Sequence, residues 1–531
     1  MSSTEALFER YGPAYRWLAT FTAIAAATAV VLSSTIVNVA IPDIMGAFGI
    51  SQIEAQWLSS AYLAAATATM LLGAWAEHNF GHRATFLATL ALFSFGSAIG
   101  GAAPDEHVLV VARIAQGAAA GIVQPLAMVV MFQVFPPNRR GVAMSIFGLG
   151  VVLGPSIGPW VGGVLMEHFS WRYIFYLVLP FSLGAMVLSA LFLPSRNEGG
   201  ARYRFDWPGF ILLCVFLTTL LNGLTNGQRL GWGADPILLN FAIAAGSFCA
   251  FIWWENKTTT PLLNLKLFTS LPFASASLVG FILGASLYGT TYLLPLFVQT
   301  IQHLLPADSG LLLMPAGFAM AVAFPLAGLL ADRVAPGPMI AFGLFLCALT
   351  SWLTAQVDVY TTFLHLALWT ALARVGMALV FPSLSAAALQ VLPAELMPQG
   401  SGVSNFSRQL GGAFGVNLLA VLFDQRTAFH SDILAATQTP DNPVLTGMLG
   451  QVAGLARGAG LPDWQQLPLA LWYHGQAIYA EASTLAFRDG FLLTAGVFAA
   501  ALLPTWVLHR AIRHHGRRSV RSTQPKQAAN A

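Results

Sequence analysis

Long apolar runs, separated by short polar breaks, dominate the chain. A helix of about twenty apolar residues crosses the hydrocarbon core of a bilayer. Runs of that length predict about fourteen membrane helices, near residues 15–41, 54–76, 84–103, 107–135, 141–167, 171–193, 206–226, 235–254, 272–300, 309–331, 337–356, 359–391, 400–424 and 487–510. The expected class is an all-α polytopic membrane protein. The first run is too long for a signal-peptide core and lacks a convincing cleavage site, so it is expected to stay as the first membrane helix. Residues 426–486 read as the one long loop, punctuated by Pro440, Pro443, Pro462 and Pro468 and carrying the apolar stretch from Leu467 to Tyr473. Loops of that length often carry function.

Composition agrees with a lipid-facing surface. The chain is 56% hydrophobic and 9% charged, where a soluble domain carries roughly 25% charged residues. A net charge of +3 gives no reason to expect a nucleic-acid partner. The placement of basic residues says more than their sum. With the N-terminus inside, Arg10, Arg16, Arg83, Arg139, Arg140, Arg196, Arg202, Arg204, Lys257, Lys266, Arg333 and the tail after residue 510 fall on one face. Asp43, Glu54, Asp105, Glu106, Asp235, Asp308 and Asp358 fall on the other. That asymmetry predicts cytoplasmic termini and an even number of spans. Cys214, Cys249 and Cys347 lie in apolar runs without metal-ligand spacing and read as small buried hydrophobes.

A short internal echo suggests two related halves. Gly73 to Glu77 and Gly328 to Arg333 each end a helix and start a loop on the basic face, and Arg113 and Arg374 each sit inside an apolar run. The expected division is a cytoplasmic N-terminus (1–14), an N-terminal six-helix bundle (15–193), two inserted central helices (206–254), a C-terminal six-helix bundle (272–510) that includes 426–486 on the outer face, and a basic cytoplasmic tail (511–531).

Chemistry-bearing residues are few. Gly150, Gly154, Gly158, Gly162 and Gly163, with Pro155 and Pro159, interrupt one apolar run. Such a helix approaches its neighbours closely and is expected to form a flexible seam between the halves. A guanidinium at membrane depth is costly unless it faces a partner or a wet cavity, so Arg113 and Arg374 are candidate cavity residues, with Gln116 one turn from Arg113. Glu77, Arg83, Asp332 and Arg333 are placed for a cytoplasmic charge lock. His365, in an apolar run, reads as a packing or hydrogen-bonding histidine. No carboxylate falls near the middle of a predicted helix, and Asp424 comes nearest. There is no phosphate-binding GxxxxGK[ST] loop, no metal-ligand cluster and no nucleophile–base arrangement, so an enzyme or ATP-driven pump is not expected.

Taken in order, these residues resemble the major facilitator superfamily, and within it the fourteen-helix drug:proton antiporters of the EmrB/QacA type. The likeness rests on Leu32 to Pro42 in the first helix, which includes Ser33, Thr35 and Asn38; on Trp57, Tyr62 and Gly73; and on Glu77 to Arg83, with Gly81, a degraded form of the superfamily's loop motif. It continues through Val111 to Gly117, Gly154 to Gly163, Trp171 to Phe175, Gln299, and Asn405, Arg408, Gln409 and Gly411. The resemblance implies two helical bundles in the inner (plasma) membrane and proton-coupled export of hydrophobic drugs by alternating access. It implies no cofactor beyond the proton gradient, and in some relatives a periplasmic adaptor and outer-membrane channel. One departure matters. The branch usually has an acid where this chain has Ser33, so a proton site and an attraction for lipophilic cations are missing there; neutral or anionic cargo suits Arg113 and Arg374 better. Other readings are an exporter of one metabolite or siderophore, an importer or facilitator, and a membrane scaffold.

Overall fold

The computed structural model describes residues 3–522 except 51, 137–138, 196–203, 303, 305, 332, 359, 394–395 and 440. Apolar side chains that cannot leave lipid, and backbone groups that must be satisfied within it, leave the helix as the element of choice. The helices are α1 (Ser3–Tyr11), α2 (Tyr15–Phe48), α3 (Gln52–Met70), α4 (Leu72–Ala102), α5 (Glu106–Val134), α6 (Arg140–His168), α7 (Tyr173–Phe192), α8 (Trp207–Leu230), α9 (Asp235–Lys257), α10 (Leu271–Thr300), α11 (Pro306–Ala331), α12 (Pro336–Thr354), α13 (Phe363–Gln390), α14 (Met397–Ala436), α15 (Pro443–Gly458), α16 (Asp463–Ala500) and α17 (Leu502–Ser522). Among the described residues, 12 helical stretches are long and apolar enough to cross a membrane, the last running Asp463–Ile512. The two other predicted runs, 54–76 and 141–167, fall on α3 and α6.

Local sequence explains the boundaries. The first helix runs past its predicted end at 41 to Phe48, where Gly49 closes it at φ 67°, a conformation that glycine adopts without a Cβ penalty. Leu71 keeps helical angles of φ −75° and ψ −24°, so the chain continues smoothly from α3 into α4. It reverses instead at Gly81, with φ 80° and ψ 167°, a region open essentially to glycine alone. The side chain of Asp105 caps α5 by accepting from the Val108 amide at 2.9 Å.

α2 to α7 pack on one another, as do α10 to α14 and α16, while the α8–α9 hairpin lies against α3 and α14. α6 packs on α2 in its own half and on α11 in the other. The core is not evenly shared. One hydrophobic cluster, near the Gly81 end, joins both halves and includes Tyr15, Phe86, Met128, Phe147, Phe324 and Leu389. At the opposite end each half has its own: Ile36, Ile44, Leu58, Trp171 and Phe175 in the first, and Leu293, Phe297, Leu313, Leu366 and Phe487 in the second. Ser401 Oγ and Asn405 Nδ2 of α14 each donate to Met128 Sδ of α5 at 3.5 Å, again near the Gly81 end.

Two expectations need correction. Residues 426–486 are not a loop but helix: α14 extends to Ala436, α15 follows, and α16 begins at Asp463. Pro443 starts a helix instead of breaking one, and Asn442 caps it by accepting from the Val444 amide at 2.9 Å. Pro468 lies inside α16, and Pro440 lies outside the described residues. Cys249 is exposed and Cys214 half-buried, so only Cys347 is the buried hydrophobe expected of all three. His365 is exposed in the first turn of α13, bonded through Nδ1 to Thr362 Oγ1 at 2.7 Å.

Candidate functional site

Arg113 is drawn into the N-terminal half by the apolar residues that flank it on α5, and its side chain is 0% exposed. Its Nε donates to the Leu58 carbonyl of α3 at 3.0 Å. Nη1 donates to the Ser33 carbonyl and the Ser33 hydroxyl of α2, both at 3.2 Å, and to Gln116 Oε1 at 2.9 Å. Gln116 Nε2 donates in turn to Ser97 Oγ of α4 at 2.8 Å. The guanidinium lies 4.3 Å from the Tyr62 ring centroid, and the Tyr62 hydroxyl donates to the Val30 carbonyl at 2.8 Å. The charge is therefore held by neutral acceptors on three helices and by one aromatic face. Nη2 is buried without a partner.

Close helix approach builds this cage. A Cβ on Gly117 or Gly121 of α5 would run into the backbone of Tyr62 or Ala66 of α3. On the other side of α2, the glycine face of α6 presses in. A Cβ on Gly154 would stand 2.9 Å from Leu32 N, and one on Gly158 3.0 Å from Thr35 Oγ1. Thr28 Oγ1 donates to the Gly150 carbonyl at 3.1 Å. Gly162 faces Ile36, whereas Gly163 meets open space. The glycines from Gly150 to Gly162 thus pack on α2 within one half, while α6 as a whole also packs on α11 and stands between the halves; Gly148, two residues before Gly150, meets Phe324 of α11. The side chains of Asn38, Pro155 and Pro159 lie outside the described set.

The second half repeats the theme with more space. Arg374 Nη2 donates to Thr291 Oγ1 of α10 at 2.8 Å, and Nη1 approaches Met377 Sδ at 3.6 Å. Arg374 borders a cleft of about 40 Å³, lined also by Thr290, Thr350, Thr354, Trp369 and Phe491. Arg408 donates to Asn405 Oδ1 at 2.7 Å and lies 4.5 Å from the Phe381 ring centroid. Both Arg408 and Asn405 border a smaller cleft of about 20 Å³. The Tyr288 hydroxyl donates to Gln409 Oε1 at 3.4 Å. Backbone contacts at Gly284, Gly411 and Gly415 lock α10 to α14.

The remaining predicted residues divide. Glu77 Oε1 lies 3.2 Å from His82 Nε2, which is also 3.0 Å from Gln133 Oε1. Among the described residues Glu77 meets His82 and not Arg83, because Gly81 turns the chain so that the Arg83 side chain is exposed. Arg333 is exposed, and Asp332 lies outside the described residues. Among the described residues the Glu77 end of the expected charge lock therefore pairs with a histidine and not with an arginine. A Cβ on Gly73 would stand 3.6 Å from the Ile122 carbonyl oxygen. Trp57 and Gln299 are half-buried, and Asp424 is exposed on α14. Sequence reasoning overlooked Ser97, Thr291 and Tyr288, whose hydroxyls complete the networks, and the Arg426–Asp489–His430 cluster that joins α14 to α16. Asp489 Oδ2 lies 2.7 Å from Arg426 Nε and 2.9 Å from His430 Nε2. The one-turn spacing of Arg426 and His430 was the available signal.

Comparison with known proteins fits this architecture. Residues 17–416 match the family model described as Major Facilitator Superfamily. The chain is 32% identical over 490 residues to the uncharacterized MFS-type transporter YhcA of Bacillus subtilis (strain 168), covering 91% of each chain. It is 30% identical over 499 residues to a multidrug resistance protein B homolog of Mycobacterium tuberculosis, covering 91% of this chain and 88% of that one. The crystal structure of the human organic anion transporter MFSD10 (TETRAN) superposes with a TM-score of 0.60 at 14% identity, over 93% of this chain and 99% of that one, and so shares its fold. With helices built to span a bilayer, a family model matched over most of its length and relatives named as transporters, this multi-pass membrane protein is a transporter rather than an enzyme, and it belongs to the major facilitator superfamily.

Proposed function

We propose that the chain exports hydrophobic, neutral or anionic small molecules by proton-coupled antiport with alternating access. It would do so in the inner (plasma) membrane, with fourteen spans and both termini in the cytoplasm. One observation carries the reading: a single hydrophobic cluster closes the two halves at the Gly81 end, whereas each half has a separate cluster at the other. By the distribution of basic residues the Gly81 end is the cytoplasmic one. This conformation is then the outward-open one, and rocking the halves would open the cytoplasmic end. Arg113 and Arg374 lie within the two halves with no carboxylate paired to either among the described residues, which favours cargo without positive charge. The relative named as a multidrug resistance protein supports export of drugs. The helices of 426–486 would lie outside, where a periplasmic adaptor would dock.

The test is efflux from cells lacking their own pumps, with one lipophilic cationic dye and one acidic fluorophore, each with and without a protonophore. Expulsion of the acidic fluorophore that stops when the gradient collapses is the expected result. Expulsion of the cation alone would overturn the cargo assignment. Accumulation of either compound would favour an importer.

A further inference from the structure

Two carboxylates meet where the inserted hairpin begins and ends. Asp206 caps α8 and Glu255 lies in the last turn of α9; their residues are 6% and 4% exposed. Each has one satisfied oxygen. Asp206 Oδ1 accepts from the Gly209 amide at 3.1 Å and from Trp254 Nε1 at 2.7 Å. Glu255 Oε2 accepts from the Leu263 amide at 3.1 Å. The other oxygens, Asp206 Oδ2 and Glu255 Oε1, are buried without a partner. They point at one spot: a Cβ on Gly209 would stand 2.5 Å from the first and 2.7 Å from the second. The two carboxyl groups are within hydrogen-bonding reach of each other.

Two ionised carboxylates only accept hydrogen bonds, so they cannot satisfy each other. Side by side and away from water they repel strongly. A nearby cation would relieve this, but none of the ion pairs among the described residues includes either group. Lys257 lies 4.1 Å from the Trp253 ring centroid, and Arg204 and Lys266 are exposed. On the elements packed around the hairpin, Arg408 of α14 is bonded to Asn405 and Arg426 to Asp489. On α3, Tyr62 is bonded to Val30, and Glu54 lies in the first turn, at the far end. Trp75 of α4 packs on Phe205 with ring centroids 4.9 Å apart. Close to it along α4, Glu77 pairs with His82, and His78 is exposed.

We propose that Asp206 and Glu255 hold one proton between them, taken from solvent, as a hydrogen-bonded carboxyl–carboxylate pair. One bound proton turns two unsatisfied acceptors into a donor and an acceptor and removes one buried charge. The pair clasps the first turn of α8 to the last turn of α9. Through the Leu263 amide it also fixes the connection that leads into α10 and the second half. Gly209 is the residue that leaves room for the two oxygens to meet. Loss of the proton puts two like charges in the same dry space and loosens the clasp. The site is a proton-binding site on the inserted helices, separate from the arginine sites.

The test uses the full chain in lipid nanodiscs and the variant Glu255→Gln, whose amide donates to Asp206 at any pH. Infrared difference spectroscopy should show a protonated carboxyl stretch in the parent that Glu255→Gln lacks. The melting temperature of the parent should fall as pH rises from mildly acidic to mildly alkaline, and that of Glu255→Gln should fall by clearly less. Asp206→Asn, with an amide on the other side, should behave like Glu255→Gln. Identical carboxyl spectra, or parallel melting curves, would overturn the proposal. So would stabilisation of the parent at fixed pH by sodium or magnesium that Glu255→Gln does not show, because the oxygens would then be holding a metal cation.

Discussion

Arg113 in the first half and Arg374 in the second sit on corresponding helices, α5 and α13, yet their surroundings differ. Arg113 is fully enclosed and spends its fork on α2, α3 and Gln116 of its own helix. Arg374 makes one strong bond, to Thr291, and borders a cleft. A planar guanidinium that donates in several directions ties helices together in a way that an ammonium does not. A charge beside open space is free to meet cargo. The difference teaches that Arg113 ties the helices of its half together, whereas Arg374 keeps one side toward a cleft, where the proposed function would place cargo.

The largest effect should come from Arg113. Arg113→Met strands the acceptors it satisfies, each worth about 1–3 kcal/mol when left buried and unbonded. Efflux, normalised to protein in the membrane, should fall to background and the melting temperature should drop. Arg113→Lys should fail nearly as badly, whereas Arg374→Lys should keep part of its activity because charge matters more than the fork there. Equal losses in the two lysine variants would break the comparison.

Gly158→Leu comes next. Even the first added carbon would stand 3.0 Å from Thr35 Oγ1 and 3.1 Å from Leu32 Cδ1, closer than a carbon atom normally packs. The variant should insert and fold but lose transport, since α6 holds α2 in place beside Ser33. Membrane abundance and efflux measured together check this, and full transport would show that the α2–α6 packing is not needed for it.

How much of this was legible in the sequence follows from which forces act locally. The spans were legible because lipid demands long apolar runs, and the arginines because a charge inside such a run stands out. The helices of 426–486 were not, because Pro443 at a helix start reads the same as Pro in a loop, and because Leu445 and Ala470 are buried only once α15 meets α16. The glycine face of α6 was visible, but its partner was not: spacing gives a face and not the helix that fills it. Asp206 and Glu255 lie 49 residues apart in the chain and become a pair only when the hairpin closes.

Ser33→Asp sharpens the comparison from the other direction. The Ser33 hydroxyl lies 3.2 Å from Arg113 Nη1, so a carboxylate there would pair with the guanidinium and cancel its charge. The preference between an acidic and a cationic fluorophore should shift toward the cation by about tenfold, the ratio that roughly 1.4 kcal/mol produces. An unchanged preference would mean that Arg113 does not influence cargo charge at all.

The smallest expected effect is at Thr291→Val, which keeps the shape of the side chain and removes its hydroxyl. Arg374 would lose its 2.8 Å bond, a contribution of about 1.5–3 kcal/mol for a charged donor when no water replaces it. The adjoining cleft lets water reach the guanidinium, so much of that loss should be recovered. Efflux of the acidic fluorophore should fall only a few-fold and the melting temperature should barely move. A collapse as deep as that of Arg113→Met would show that Arg374, like Arg113, is held as a structural tie, and that the cleft beside it is not where cargo binds.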